Sequence, residues 1–176
     1  MRIIGGSLKG KPIYPPRGYA CRPTTDFAKE GLFNTLNNEV DFESLSVLDL
    51  FSGTGSISYE FASRGARTVI SVDMNPANAA FIKRTASGFG LSSIRVVRYN
   101  VFDFFGICHE KFDIVFADPP YATEGLDTLP DRVFAAGMLA SGGYFILEHP
   151  ETYSFTGDPH FVKEKKYSNV HFSFFK

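Results

Sequence analysis

The chain contains no tryptophan and only two cysteines, Cys21 and Cys108, among its 176 residues. The two cysteines lie far apart and form no CxxC motif, which favours reduced thiols over a disulfide framework. The four histidines are scattered, so no zinc pattern is present and we expect no metal. No segment approaches the ~18 consecutive apolar residues that a membrane span requires, and glycines interrupt the N-terminal apolar run before it reaches signal-sequence length. We therefore expect a cytoplasmic protein without a membrane partner.

Acidic residues are missing from residues 1–25, although the net charge of the whole chain is −1. This segment carries five cations, namely Arg2, Lys9, Lys11, Arg17 and Arg22. A basic end on an otherwise acidic chain favours a polyanionic partner for these five residues. The alternative is a solvated hairpin edge. The glycines and the Pro15–Pro16 pair of this segment predict a β-hairpin followed by a stiff connector.

Apolar segments bounded by turn residues recur from residue 46 onward. They predict strands over 46–51, 68–73, 94–99, 112–118 and 142–149, and the tail predicts two further strands joined by a turn at Ser168–Asn169. Helical patterns fall between them, and an earlier helix begins at Thr25 or Asp26 with Phe27, Leu32, Phe33 and Leu36 on its apolar face. This alternation predicts an α/β fold: a doubly wound, mostly parallel, seven-stranded sheet with an antiparallel C-terminal strand. We expect one domain over residues 1–176, with a hairpin extension over 1–22 and a core over 23–176.

The segment LDLFSGTGS places a glycine loop at the end of the first predicted strand. In doubly wound sheets, ligands bind at the carboxyl ends of the strands. Gly53 and Gly55 let backbone approach a ligand, but the third glycine of a dinucleotide fingerprint is missing and Asp49 would repel a pyrophosphate. Asp73 ends the second strand, where an acidic residue binds ribose hydroxyls. A nucleoside that carries a cationic group and no phosphate fits this pattern, which indicates S-adenosylmethionine. A glycine turn of purely structural origin is the alternative.

The segment FDIVFADPPY breaks a buried strand with Asp118, Pro119, Pro120 and Tyr121. Two prolines fix the backbone and remove two donors, so the segment presents acceptors beside an aromatic ring. A planar group with N–H donors would fit this segment, such as a nucleobase with an exocyclic amine. Tyr121 can stack on such a base. We predict that these four residues hold an amino group for methylation. A plain turn is the alternative.

The segments MRIIGG, RPTTD, KEGLFN, LDLFSGTGS, FDIVFADPPY and EKKYSNVHFSFF together resemble, in order, the bacterial guanine-N2 methyltransferases of 16S ribosomal RNA. The resemblance implies a Rossmann-like class I methyltransferase fold, S-adenosylmethionine as cofactor and 16S ribosomal RNA as substrate, either free or within a small-subunit particle. With this substrate, we predict that the five cations of residues 1–25 bind RNA. The resemblance also makes residues 118–121 catalytic. The cofactor-binding residues that it implies are Thr24, Asp49, Phe51, Gly53, Thr54, Gly55, Asp73, Met74, Asn100 and Val101.

The sequence departs from the pattern of this family at several positions. Asn100–Val101 stands where the family usually has Asp-Ala, so either Asn100 or Asp103 contacts the adenine. Thr85 replaces the usual Asn, Ser168 the usual Gly, and Asp73 a frequent Glu. None of these changes affects residues 118–121. We expect a monomer. An adenine-N6 methyltransferase, a nicotinamide oxidoreductase and a non-catalytic RNA-binding module remain as alternatives.

Overall fold

The computed structural model describes residues 1–16 and 24–176. Arg17, Cys21 and Arg22, and the predicted boundary between extension and core, lie outside the described residues. The sheet has seven strands: β1 (Ser46–Leu50), β2 (Thr68–Val72), β3 (Ile94–Val97), β4 (Phe112–Ala117), β5 (Leu139–His149), β6 (Phe161–Tyr167) and β7 (Val170–Phe175). The strand order is β3-β2-β1-β4-β5-β7-β6. The predicted seven-stranded α/β fold is therefore confirmed.

Strands β1 to β5 are parallel to one another, and β7 is antiparallel to both β5 and β6. The order reverses at β1, which pairs with β2 on one side and β4 on the other. The carboxyl ends of these central strands therefore meet at one edge of the sheet, where ligands bind in folds of this type. The predicted turn at Ser168–Asn169 is confirmed, and Ser168 has a left-handed backbone (φ 57°) that glycine would adopt without strain.

Within residues 1–16 and 24–176, five α-helices cover the two faces of the sheet: α1 (Asp26–Leu36), α2 (Ser56–Ser63), α3 (Pro76–Gly88), α4 (Val101–Phe104) and α5 (Leu129–Ala135). Thr25 caps α1 by accepting a hydrogen bond from the Ala28 amide, as predicted. Asn75 caps α3, and Pro76 follows where a missing N–H costs nothing. The prediction that Phe27 belongs to the buried face of α1 is wrong. Phe27 is 66% exposed and lies edge-on against Tyr167.

The alternation of side chains along the strands divides the main core into two apolar layers. Val47, Ile114 and Ile146 point to the face covered by α1 and α2. Leu48, Val115 and Leu147, each one residue later, point to the face covered by α4 and α5. Because successive strand residues point to opposite faces, two neighbouring positions serve two layers, and the sheet is buried on both sides.

Residues 1–16, here called the N-terminal arm, form a short antiparallel hairpin. The Ile3 amide donates to the Lys11 carbonyl (3.0 Å), and the Ile13 amide donates to the Met1 carbonyl (3.0 Å). A 3₁₀ turn at Gly6–Leu8 reverses the chain between them. Ile3 and Ile13 are buried against α2 and α3. The predicted hairpin is confirmed, and it packs on the core through one apolar side.

Helix α2 also holds the N-terminal arm through Glu60, which is fully buried. Its carboxylate accepts from the amides of Ile4 (2.9 Å) and Gly5 (2.7 Å). The buried Lys29 ammonium lies 3.9 Å from Glu60 and donates to the Arg2 carbonyl (2.6 Å). Burial lowers the pKa of Lys29, and the nearby Glu60 opposes that shift. One buried ion pair therefore ties the arm to α1 and α2.

Candidate active site

A cavity of about 600 Å³ lies at the carboxyl ends of the central strands. It brings together Asp118, Pro119, Pro120 and Tyr121 with all of the predicted cofactor residues except Gly55, which lies in the adjoining loop. The predicted catalytic and cofactor-binding residues are thus neighbours in space. The residues that line it and belonged to these predictions are Thr24, Asp49, Phe51, Gly53, Thr54, Asp73, Met74, Asn100, Val101, Asp118, Pro119, Pro120 and Tyr121.

The glycine loop between β1 and α2 turns sharply beneath this cavity. Gly53 (φ 53°) and Gly55 (φ 80°) have left-handed backbones, and a Cβ on Gly55 would lie 2.8 Å from the Tyr59 ring. Phe51 also has a positive φ (57°), which is unfavourable for an aromatic residue and is typical of functional loops. Its ring packs edge-on against Phe102, beyond the end of β3. This geometry keeps the loop backbone close to the space that a ligand would fill.

Asp49 lies under the loop and is 1% exposed. Its carboxylate accepts a short hydrogen bond from Ser58 of α2. Burial raises the pKa of Asp49 to about 7, the Ser58 hydrogen bond opposes this shift, and the charge of Asp118 adds to it. A cationic ligand group in the cavity would favour the ionised form of Asp49.

Asp73, at the end of β2, is held by three donors. One carboxylate oxygen accepts from the Gly53 amide (2.8 Å) and the Asn78 side chain (3.0 Å), and the other accepts from the Asn75 amide (2.8 Å). The bond to Gly53 links the acidic residue directly to the glycine loop. Met74 follows at the cavity wall and is 67% exposed.

Asn100 and Val101 line the cavity at the start of α4. The Asn100 side-chain oxygen accepts from the amides of Phe102 (2.8 Å) and Asp103 (3.4 Å), which caps the helix. This oxygen therefore caps the helix, and the expectation that either Asn100 or Asp103 contacts the adenine stays a prediction. Asp103, the alternative, is exposed and does not line the cavity.

The segment from Asp118 to Tyr121, here called the ledge, continues directly from β4. The Asp118 amide donates to the Leu50 carbonyl of β1 (3.4 Å), and the Thr123 amide closes the turn on the Pro120 carbonyl (2.8 Å). Pro119 is buried, whereas Tyr121 is 42% exposed at the cavity wall. The ledge is therefore fixed at both ends and presents its aromatic residue toward the opening.

Glu148, at the end of β5, lines the same cavity and was missed by the sequence analysis. The Thr24 hydroxyl lies 3.0 Å from a carboxylate oxygen of Glu148 and 3.4 Å from one of Asp118. Burial and the charge of Glu148 raise the pKa of Asp118 well above its usual range, and the Thr24 hydrogen bond opposes them. Glu148 could have been found from the sequence by its position near the end of a strand. Asp49, Asp73 and Asp118 have the same kind of position.

The described cations predicted to bind RNA lie on the N-terminal arm, where Arg2, Lys9 and Lys11 are exposed. Arg2 lies 3.4 Å from Asp26, and the Lys11 ammonium lies 5.4 Å from the centre of the Phe89 ring. The arm reaches the cavity wall, since the Thr54 hydroxyl contacts the Met1 sulfur at 3.6 Å. Arg17 and Arg22, the other two predicted residues, lie outside the described residues.

One group of metal-ligand side chains lies outside the cavity, at His149, Glu164 and His171. His149 contacts the Pro150 carbonyl (2.9 Å) and the Ser173 hydroxyl (2.8 Å), and His171 contacts Glu164 (2.8 Å). These contacts form a hydrogen-bonded network across β5, β7 and β6. The expectation that the protein binds no metal stays a prediction. No helix within residues 1–16 and 24–176 has the length and apolar character to cross a membrane.

Comparison with known proteins places this geometry in a family. A family model described as "Conserved hypothetical protein 95" matches residues 1–176. The chain belongs to this family. The ribosomal RNA small subunit methyltransferase D of Escherichia coli K12 is 30% identical over 84% of this chain and 74% of its own length. The protein of that name from Buchnera aphidicola (strain Bp) is 27% identical over 99% of this chain and 91% of its own.

Solved structures agree with the "Conserved hypothetical protein 95" assignment. A hypothetical protein of Thermus thermophilus superposes with a TM-score of 0.88 over 100% of this chain and 99% of its own, at 27% identity. The ribosomal protein L11 methylase of Lactobacillus delbrueckii shares the fold alone, at 15% identity over 88% of this chain and 80% of its own, with a TM-score of 0.69. The predicted family and the Rossmann-like methyltransferase fold are confirmed.

Proposed function

We propose that this protein transfers a methyl group from S-adenosylmethionine to the exocyclic N2 amine of a guanosine in 16S ribosomal RNA. One observation carries the proposal: the ledge and the glycine loop line a single cavity. A donor of methyl groups and a planar amine would therefore be held side by side. The names of the family's curated relatives support small-subunit ribosomal RNA as the substrate.

The residues around the glycine loop fit the cofactor. Asp73 is oriented by three donors and retains acceptor capacity for ribose hydroxyls. Asp49 places a carboxyl group at the floor of the cavity, where it suits a cationic ligand group. The backbone of Gly53 and Gly55 leaves room for a ligand. When bound, S-adenosylmethionine supplies an electrophilic methyl group on a sulfonium. For the adenine, we propose the Val101 amide and the cavity wall at Asn100, because the Asn100 oxygen is committed to the cap.

The ledge would hold the amine that receives this methyl group. Asp118 and the Pro119 carbonyl would accept the two N2 hydrogens, which directs the nitrogen lone pair toward the methyl carbon. The carbon–sulfur bond breaks as the carbon–nitrogen bond forms, and the amine then loses one proton to Asp118 or to water. Tyr121, exposed at the opening, would stack on the base for about 1–3 kcal/mol. Correct placement of both reactants can supply about 7–11 kcal/mol of the barrier.

The RNA would approach from the side of the N-terminal arm. A paired base cannot reach the ledge, so the target must be unpaired or flipped out, at a cost of about a few kcal/mol. Arg2, Lys9 and Lys11 would contact phosphates without reading sequence. We further propose the predicted organisation, a cytoplasmic monomer with one domain over residues 1–176.

The test is methyl transfer from labelled S-adenosylmethionine to unmethylated small-subunit particles, followed by nucleoside analysis. Asp118→Ala is the informative variant. Asp127→Ala, an exposed aspartate that does not line the cavity, is the matched control. We expect N2-methylguanosine from wild type and control, and a rate about 10²–10⁴-fold lower in Asp118→Ala. Label in N6-methyladenosine would replace guanine with adenine as the substrate. Label on no nucleic acid, despite cofactor binding, would refute the proposal.

A further inference from the structure

Two carboxyl groups, not one, face the place where the base would lie. Ala117 of β4 pairs with Leu147 of β5 in parallel register, so the next residues, Asp118 after β4 and Glu148 within β5, are neighbours at the carboxyl ends of these strands. Both line the cavity, and Glu148 is 4% exposed. The ledge therefore has a second acidic neighbour that the transfer of a methyl group to an amine does not itself require.

Thr24 lies between these two carboxyl groups, at 3.0 Å from Glu148 and 3.4 Å from Asp118. A threonine hydroxyl has a single hydrogen, so it can donate to only one of them at a time. Each carboxylate oxygen can accept more than one hydrogen bond, so both groups retain acceptor capacity beside the Thr24 hydroxyl. The site is therefore suited to a ligand that brings two neighbouring N–H donors.

The bases differ at this edge. Guanine carries the N2 amine next to N1–H, so two neighbouring positions donate hydrogen bonds. Adenine carries its amine next to N1, and cytosine next to N3, and both of these ring nitrogens have a lone pair instead of a hydrogen. An ionised carboxylate accepts hydrogen bonds and cannot donate them, and two N–H donors on the base favour this ionised form against the raised pKa of Asp118. A pair of carboxylates therefore suits guanine and repels the other two amino bases.

We propose that Glu148 is a specificity-determining residue that accepts a hydrogen bond from N1–H of the target guanine, while Asp118 holds its N2 amine. This inference rests on the proposed function. Thr24 keeps the two carboxylates in place, so it is a positioning residue for both. Glu148 on β5 then selects guanine over adenine, whereas the ledge that follows β4 holds the amine that accepts the methyl group.

An RNA with 2-aminopurine at the methylated position tests this assignment directly. This base keeps the 2-amine but has a lone pair at N1. We expect wild type to methylate the guanosine RNA about 10²–10⁴-fold faster than the 2-aminopurine RNA, as for sites that select a donor on the substrate. Equal rates would overturn the inference while leaving guanine-N2 methylation intact. Absence of N2-methylguanosine from the guanosine RNA would instead refute the proposed function.

The Glu148→Gln variant provides the second arm. A glutamine side chain can donate to N1 of 2-aminopurine as well as accept from N1–H, so we expect the preference to shrink to within about 10-fold. The control is Asp73→Asn, which should slow both reactions by the same factor and leave the preference unchanged. Circular dichroism establishes that each variant is folded. A folded Glu148→Gln protein with the wild-type preference would refute the role of Glu148, and the wild-type comparison decides the question if the variant does not fold.

Discussion

The buried carboxyl group of Asp49 makes the stability of the protein depend on pH, and the Asp49→Asn variant isolates that dependence. Asp49 is 1% exposed, and its pKa is raised from 3.8 to about 7, first by burial and then by the charge of Asp118. The unfolded chain ionises this group near its ordinary pKa. Between the two pKa values the folded state therefore binds a proton that the unfolded state has lost.

The sign and size of the effect follow from this difference. Stability from Asp49 is greatest below the unfolded pKa, falls as the pH rises, and stops falling near pH 7, where the folded group ionises too. Each pH unit in this window corresponds to about 1.4 kcal/mol. From about pH 5 to about pH 7, wild type should lose about 2–3 kcal/mol through Asp49 alone. Asparagine has no proton to lose, so the variant lacks this slope.

The assay is urea unfolding followed by circular dichroism, at several pH values from about 5 to about 8.5. We expect the free energy of unfolding of Asp49→Asn, minus that of wild type, to rise by about 2–3 kcal/mol up to about pH 7 and then to level off. Other titrating groups contribute to both proteins and largely cancel. Asp127→Asn, which removes an exposed carboxylate, should give a nearly constant difference. A constant difference for Asp49→Asn as well would show that Asp49 is ionised in the folded protein near neutral pH.

Three further predictions concern the attachments around the site. Glu60→Gln removes the buried carboxylate beside the Lys29 ammonium, which leaves it only the half-exposed Asp26 at 4.0 Å, and should cost about 3–5 kcal/mol, measured by urea unfolding. Gly31→Ala places a Cβ 2.1 Å from the Tyr167 ring, so we expect a lower melting temperature, and a Tyr167→Ala background should relieve much of the loss. Affinity for ribosomal RNA should fall steeply with salt, and each exposed cation of the N-terminal arm changed to alanine should reduce the slope by about 0.7–0.9; an unchanged slope would exclude the arm from RNA binding.

The strands were predictable because the central sheet is buried on both faces. Such strands appear in sequence as short apolar runs. In doubly wound sheets ligands bind at the carboxyl ends of the strands, and this rule places Asp49, Asp73 and Asp118 together at one edge of the sheet. The order of the last two strands was not predictable. Either strand of the C-terminal hairpin could join β5, and the structure shows that β7 does so. Contacts between distant segments decide this, and local pattern does not record them.

Side chains whose role depends on tertiary contacts were also missed. Lys29 and Glu60 appear as ordinary surface charges in sequence, yet both are fully buried, and both form hydrogen bonds with the backbone of the N-terminal arm. Phe27 appeared to belong to the apolar face of α1 and is exposed instead. The cap provided by the Asn100 oxygen was not predictable either, because the sequence pattern did not predict the short helix α4 that it caps.

The position of β7 also constrains how the chain can fold during synthesis. This strand is the last of the seven to leave the ribosome, yet it lies inside the sheet between β5 and β6, and all six of its residues are buried. Until β7 has emerged, one apolar edge of β5 is unpaired and β6 has no neighbouring strand to pair with. An unpaired strand edge can pair with another chain and so promote aggregation. Deletion of Val170–Phe175 would therefore remove an interior strand and not a frayed end. When the chain folds from its N-terminus during synthesis, the glycine loop can form early, but the sheet is complete only when its final strand has joined.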